Sequence, residues 1–225
     1  MVLSVFFAAN LQADEARDHL NKAANAYRQL KSFQVESVAE KRASAEKSGV
    51  RAFLTMYAAR PDKIRVETKD SGGRLQSLLI SDGAHVTEYR AWANEYTPLQ
   101  GGQIDVTFSP ERGVSIGEML YDTVANGVRK ASVRGRQTLE IGSDSIPCVV
   151  IDVEYEASKG LSIYSFWIAE DSGLILRRAV TFGTVANTRF VSVVSTVRAL
   201  TINEEIQDSA FDFKPSARAP LVRIP

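Results

Sequence analysis

The stretch Lys63–Ser81, KIRVETKDSGGRLQSLLIS, indicates the fold most directly. Polar and apolar residues alternate before its centre, and a second strand-like run follows the centre. Between the two runs, Asp70-Ser71-Gly72-Gly73 is a turn sequence of the kind that joins the strands of a hairpin. A link this short makes the strands antiparallel, because a parallel crossover needs a dozen residues or more.

The same two-residue period extends through most of the chain, with short turns between the runs. Further strands are predicted at FQVESVAE, VRAFLTMYAA, QTLEIG, IPCVVIDVEYE, LSIYSFWIA, LILRRAVTF and TRFVSVVSTVRALTI. An antiparallel meander of about ten strands tends to curl rather than lie flat. We therefore expect a mainly β (α+β) protein built on a curled antiparallel sheet.

Two segments have helical patterns instead. Apolar residues recur at three- and four-residue steps from Asp14 to Lys31, which predicts an amphipathic helix. In Ser109–Gly127, the residues Ser115 to Glu118 form a capping box ahead of an apolar face. The second segment predicts a short helix inserted within the meander, where it could cover the sheet as a lid.

The first residues, MVLSVFFAANLQA, form an apolar run with the length of a signal-peptide core. We interpret residues 1–13 as a signal peptide, truncated because a basic leading region is missing; an apolar strand is the alternative. This interpretation predicts export to a periplasm. Residues 14–214 are then expected to form a single domain, followed by a loose proline-spaced tail at 215–225.

The composition excludes several classes of function. Lys plus Arg equals Asp plus Glu, at 27 each, so no net charge favours nucleic acid as a partner. The single cysteine, Cys148, excludes an internal disulfide and a cysteine-rich metal site. No apolar run is long enough for a transmembrane helix. No cofactor motif or metal motif is present, and we expect neither group.

The pair Asp82 and His85 is the strongest candidate for catalysis, with Ser81 beside it. However, Asp82-Gly83 lies between two alternating runs, which is a strong hairpin signal. Ser81 is also adjacent in a strand, so its side chain points to the opposite face from its neighbour's. We interpret the segment as a turn and expect the protein not to be an enzyme.

Several strands are apolar on both faces, which an antiparallel sheet with one solvated face would not require. An ordinary core between sheet and helices explains this pattern, and so does an apolar cavity beneath a helical lid. The cavity hypothesis predicts a ligand-binding lining, although the sequence does not say which face of the sheet lies inside. The predicted lining residues are Phe53, Leu54, Met56, Tyr57, Met119, Leu120 and Trp167.

Arg65, in the string ARPDKIRVE, is the one charged side chain with two competing interpretations. It shares a strand face with Lys63 and Glu67, so it could form a surface ion pair of little energetic value. Alternatively, its guanidinium lies at the mouth of the curled sheet and binds lid carbonyls or a ligand headgroup.

The strings ARPDKIRVE, LLISDGAHVTEYRAWANEYT, FWIAEDSGLILRRAV and IQDSAFDFKP, taken in this order, resemble a known family. The chain is similar to uncharacterised predicted periplasmic proteins of the LolA/LolB-like superfamily of lipoprotein carriers. The resemblance implies an eleven-stranded, incompletely closed antiparallel barrel with a helical lid. It also implies that Arg65 holds the lid and that the ligand is a lipid or an acylated lipoprotein. A signalling module that contacts an envelope protein is the alternative function on this fold.

Overall fold

The computed structural model describes residues 3–44, 47–99, 121–156, 161–184, 187–214 and 220–221. Within these ranges the chain forms one α-helix, eleven β-strands and a short 3₁₀ turn at Asp208–Phe211. The bounds are α1 Leu3–Gln29, β1 Ser32–Ser44, β2 Lys47–Ala59, β3 Lys63–Lys69, β4 Leu75–Asp82, β5 Val86–Arg90, β6 Glu95–Leu99, β7 Val128–Ile141, β8 Asp144–Tyr155, β9 Leu161–Ala169, β10 Ile175–Thr184 and β11 Asn187–Ile202.

The strands form one sheet in the order β6-β5-β4-β3-β2-β1-β11-β10-β9-β8-β7. Successive strands are neighbours except β6 and β7, and β1 lies beside β11, so the first and last strands of the chain are paired. Among the described strands, β6 and β7 are the edges and do not pair with each other. The predicted fold class, an antiparallel β-barrel that is incompletely closed and has a helix, is confirmed.

The hairpin predicted around Asp70 forms as expected. β3 and β4 pair antiparallel from Lys63 opposite Asp82 to Lys69 opposite Leu75. The turn is fixed by Asp70, whose carboxylate accepts backbone hydrogen bonds from Gly72 at 2.9 Å and Arg74 at 3.0 Å. These bonds, together with the Arg74 guanidinium, lower the pKa of Asp70 below its ordinary value.

Helix α1 begins at Leu3 and therefore includes most of the apolar run that precedes Asp14. Its buried side chains follow the predicted stripe and are Ala16, Leu20, Ala23, Ala24 and Tyr27. The second predicted helix, in Ser109–Gly127, lies mostly outside the described residues. The part that the structure describes, residues 121–127, is a turn segment ahead of β7.

The chain divides into two compact units. The first comprises residues 1–29, 40–49 and 120–196, and its core contains Leu20, Val149, Ile151 and Ile168. The second comprises residues 30–39, 50–119 and 197–225. Its core contains Leu54, Met56, Ile64, Val66 and Phe211.

Candidate functional site

A row of aromatic rings lies on the face of the first unit that α1 covers. The rings of Tyr27, Tyr121, Phe166, Tyr164 and Tyr155 follow one another with centroid separations of 5.1, 6.1, 6.3 and 5.1 Å. Such separations are typical of interacting aromatic pairs. These five residues are called the aromatic row below, and they join the helix to strands β8 and β9.

Tyr27 connects the end of α1 to β10. Its hydroxyl oxygen accepts a hydrogen bond from the backbone N–H of Ile175 at 3.2 Å and can donate to the carbonyl of the same residue at 3.5 Å. Burial, and then the nearby Tyr121, raise the pKa of Tyr27 well above its ordinary value. The hydroxyl therefore stays neutral. It provides hydrogen bonds to the backbone of Ile175, where the pairing of β10 with β9 shifts register.

Two further contacts fix α1 over β7 to β10. The ammonium of Lys22 donates to the carbonyl of Glu170, and Arg17 donates to the carbonyl of Val128 at 3.3 Å. Gly173 lies so close to the helix that an added Cβ would be 3.3 Å from the carbonyl oxygen of Lys22. The helix thus lies at contact distance from the turn between β9 and β10.

Arg178 is the one charged side chain that β10 places on this apolar face. It is only 4% exposed, and its guanidinium carbon lies 5.8 Å from the centre of the Tyr164 ring. Its strand neighbours are Phe166 on β9 and Ser195 on β11. A distance below about 6 Å is in the range of a cation–π contact. The aromatic row and Arg178 together form the candidate site.

Arg178 is not among the residues predicted from the sequence, although the string LILRRAVTF contains a signal for its burial. Arg178 lies two residues before Val180, so both side chains occupy the same face of β10. Val180 is fully buried, and a charge in register with a buried apolar position is unusual. The sequence did not reveal which of the two adjacent arginines points to the buried face.

Trp167, a predicted lining residue, lies on the opposite face of β9 from Phe166. The guanidinium carbons of Arg134 and Arg177 lie 5.0 Å and 5.5 Å from the centre of its ring, and its indole N–H donates to Gln137. These contacts separate Trp167 from the aromatic row. Sequence reasoning grouped it with the lining because "FWI" is apolar on both faces, and the structure places the ring on the face away from α1.

The predicted lining residues of β2 divide between its two faces. Leu54 and Met56 are fully buried, and Met56 pairs across the sheet with Val66. Phe53 and Tyr57 point to the other face, where Phe53 is 41% exposed. The structure therefore places Leu54 and Met56 together and separates them from Phe53 and Tyr57. Met119 and Leu120 lie outside the described residues.

Arg65 was expected to bind lid carbonyls or a ligand headgroup. Among the described residues, it binds carbonyl groups of the C-terminal segment. Its guanidinium donates to the carbonyls of Ala210 at 3.1 Å and Asp212 at 3.5 Å, and it forms an ion pair with Glu67 at 2.6 Å. Burial raises the pKa of Glu67, but hydrogen bonds from Arg65 and Lys69 outweigh burial and hold this pKa below its ordinary range. Arg65 therefore fastens the chain end onto β3.

The arginine that binds the carbonyl groups following α1 is Arg60, from the same ARPDKIRVE string. Its side-chain Nε donates to the carbonyl of Leu30 at 3.0 Å, and its backbone N–H donates to the carbonyl of Lys31 at 2.9 Å. Carbonyls that follow a helix have no partner within the helix, and Arg60 supplies one. Arg60 was not among the residues predicted from this string, and the role predicted for Arg65 at the lid stays a prediction because most of the predicted lid lies outside the described residues.

The segment with Asp82 and His85 is a turn, as predicted. The Asp82 carboxylate accepts backbone hydrogen bonds from Ala84 at 2.8 Å and His85 at 2.7 Å, and these bonds lower its pKa. Gly83 occupies a positive φ of 97°, which suits glycine. The His85 side chain is exposed to solvent. The carboxylate stabilises the turn.

Within the described ranges, no group of His, Cys, Asp and Glu side chains is arranged to hold a metal ion. In the same part of the chain, no helix has both the length and the apolar character needed to cross a membrane.

Comparison with solved structures places the fold. An uncharacterised conserved protein from Thermus thermophilus is 13% identical, with 93% of this chain and 99% of that chain covered and a TM-score of 0.56. In the MucA/MucB complex of Pseudomonas aeruginosa, a chain is 15% identical over 92% of this chain and 64% of that chain, with a TM-score of 0.50. A LolA superfamily protein from Nitrosomonas europaea is 10% identical over 88% and 97%, with a TM-score of 0.42.

A search of curated protein sequences found no match. Residues 16–110 match a family model described as a predicted periplasmic protein, DUF2092. That description agrees with the periplasmic location expected from the sequence. The resemblance drawn from the sequence to uncharacterised predicted periplasmic proteins is confirmed by this match.

Proposed function

We propose that this protein is a non-enzymatic periplasmic binding protein that holds a lipid or a lipidated ligand against the helix-covered face of β8 to β10. One observation carries the proposal: four of the five rings of the aromatic row are tyrosines, and the buried Arg178 lies beside them. A packed core of aliphatic side chains avoids the free-energy cost of burying polar groups, because each buried polar group needs a hydrogen-bond partner. An apolar wall with a few polar groups is typical of a ligand site.

The expected energetics suit a carrier. Burying a methylene contributes about 0.8 kcal/mol, so about ten methylenes of an acyl chain contribute on the order of 8 kcal/mol. Ordering of the chain and loss of translational freedom offset part of this gain. Binding that is favourable but releasable allows a carrier to load and unload its ligand.

Two neighbouring residues of β9 provide a matched test. Tyr164 belongs to the aromatic row, whereas Ile163 points to the opposite face and is 42% exposed. Wild-type protein and the variants Tyr164→Ala and Ile163→Ala are purified from a periplasm without detergent, and their organic extracts are compared by mass spectrometry. We expect a stoichiometric amphiphile in the wild type and in Ile163→Ala, with at least fivefold less in Tyr164→Ala. Extracts without any amphiphile would count against the proposal.

The second candidate function is an envelope signalling or protein-interaction module. It is favoured by Trp92, which is 76% exposed in the turn between β5 and β6, since exposed tryptophan is enriched at interaction hot spots. The fold similarity to a chain of the MucA/MucB complex is compatible with such a role. Empty extracts, together with a cross-linked envelope protein that Trp92→Ala abolishes, would favour this function over a carrier.

A further inference from the structure

Arg178 occupies a position that an apolar core would not require. It is 4% exposed. The next residue on the same face of β10, Val180, is also buried, and this face is the one that α1 covers. Its guanidinium lies over the Tyr164 ring at 5.8 Å, and Phe166 is its cross-strand neighbour. A cation in these surroundings is retained against a considerable loss of hydration.

The chemistry of the guanidinium defines what can bind there. Arginine stays protonated in proteins, so the charge persists at every physiological pH. The group carries five N–H donors in a planar fork, which matches the oxygens of a phosphate or carboxylate. It can therefore hold an oxyanion by two parallel hydrogen bonds alongside other contacts.

We infer that Arg178 binds the acidic head of the ligand, so that the ligand is an anionic amphiphile with a phosphate or carboxylate group. Its acyl chains then lie against the aromatic row next to Phe166 and Tyr164. This inference rests on the proposed lipid-binding function and adds to it the charge of the ligand and the residue that selects it. The headgroup role considered for Arg65 passes to Arg178, because Arg65 contacts the C-terminal segment.

The adjacent arginine provides a matched control. Arg177 lies on the other face of β10, where its guanidinium is over Trp167 at 5.5 Å and its Nε donates to Thr196 at 3.1 Å. Replacing it removes the same charge from the same strand without touching the aromatic row. A selectivity that depends on Arg178 alone separates a specific contact from a general effect of net charge.

The experiment compares two lipids that differ only in the head. Full-length protein freed of bound lipid is titrated with dimyristoyl phosphatidic acid and with dimyristoylglycerol, and the complexes are quantified by native mass spectrometry. We expect the wild type to bind phosphatidic acid at least tenfold more tightly than dimyristoylglycerol. In Arg178→Gln the ratio should fall below threefold, whereas Arg177→Gln should keep it. Arg178→Lys, which retains the charge but not the fork, should give an intermediate ratio and covers the case in which the glutamine variant does not fold.

The outcomes are distinguishable. If the wild type binds both lipids equally, the inference is overturned but the proposed lipid binding stands. The same holds if both Arg178 variants keep the wild-type ratio of affinities for phosphatidic acid and dimyristoylglycerol. Displacement of phosphatidic acid by an equal concentration of inorganic phosphate assigns the site to a free anion and also overturns the inference. Failure of the wild type to bind either lipid refutes the proposed function itself.

Discussion

Arg177 and Arg178, adjacent in β10, place their guanidinium groups over two aromatic rings on opposite faces of the sheet. Arg177 lies 5.5 Å from the ring of Trp167, and Arg178 lies 5.8 Å from the ring of Tyr164. One strand therefore presents a cation to the helix-covered face and another to the opposite face.

Replacing Gly173 with alanine should destabilise the packing of α1 on the sheet. Gly173 has a positive φ of 74°, and its added Cβ would lie 3.3 Å from the carbonyl oxygen of Lys22. Gly142→Ala is the matched control, because Gly142 also has a positive φ, 60°, but nothing within 4 Å of an added Cβ. Conformational strain costs about 1–2 kcal/mol at either position. Urea unfolding should show a larger loss for Gly173→Ala, and equal losses would contradict the close helix contact.

Truncating Phe211 should loosen the packing of the C-terminal segment on β3 and β4. Its side chain is 2% exposed, and a buried phenylalanine replaced by alanine costs about 3–5 kcal/mol. The comparison is Phe213→Ala. The ring centre of Phe213 lies 5.8 Å from that of Tyr89 and 6.0 Å from that of Tyr96, and its side chain is only half-buried. Chemical denaturation should rank Phe211→Ala as the more destabilising of the two. The reverse order would show that the segment is held elsewhere.

Arg65→Gln should lower stability most at neutral pH. Hydrogen bonds to charged groups contribute about 1.5–3 kcal/mol, and Arg65 makes such bonds to Glu67 and Ala210. The pKa of Glu67 is depressed in the folded protein, so its stabilising effect is present above the ordinary carboxyl pKa and is lost as the pH falls through the folded pKa. The stability difference between wild type and variant should therefore narrow at acidic pH.

The control for this prediction is Lys63→Gln. Lys63 pairs with Asp208 at 2.7 Å, but Asp208 is well exposed, and an exposed ion pair contributes little to stability. Unfolding free energies of the three proteins are measured between pH 7 and pH 3. If the difference in unfolding free energy between wild type and Arg65→Gln does not change with pH, then protonation of Glu67 does not control the contribution of Arg65.

Cys148 should be inert until the protein unfolds. Its side chain is fully buried, and burial, with Glu170 nearby, raises the pKa of its thiol to about 11. The thiolate is the reactive species, so labelling by a disulfide reagent at pH 8 should be on the order of 100-fold slower than in the unfolded chain. Comparing labelling rates with and without urea tests this. Immediate labelling of the native protein would contradict the burial of β8.

The strands could be predicted because their determinants are local. The turn at Asp70 and the alternation on either side of it depend on residues close in sequence, and β3 has the predicted bounds. The candidate site depends on which strand face α1 covers, and that is set by contacts such as Tyr27 with Ile175. A two-residue period separates the faces but does not identify the covered one. For this reason the sequence did not separate Trp167 from the other predicted lining residues, and it did not single out Arg178.

Photo-cross-linking tests the central claim most directly, because it locates the ligand on the folded protein. Full-length protein is loaded with a phospholipid that carries a diazirine on its acyl chain, irradiated, digested and analysed by tandem mass spectrometry. We predict adducts in the peptides of the aromatic row, on α1 near Tyr27 and on β9 at Tyr164 to Phe166. Adducts concentrated at the exposed Trp92 turn or at Phe53, with none on the aromatic row, would contradict the proposed binding face.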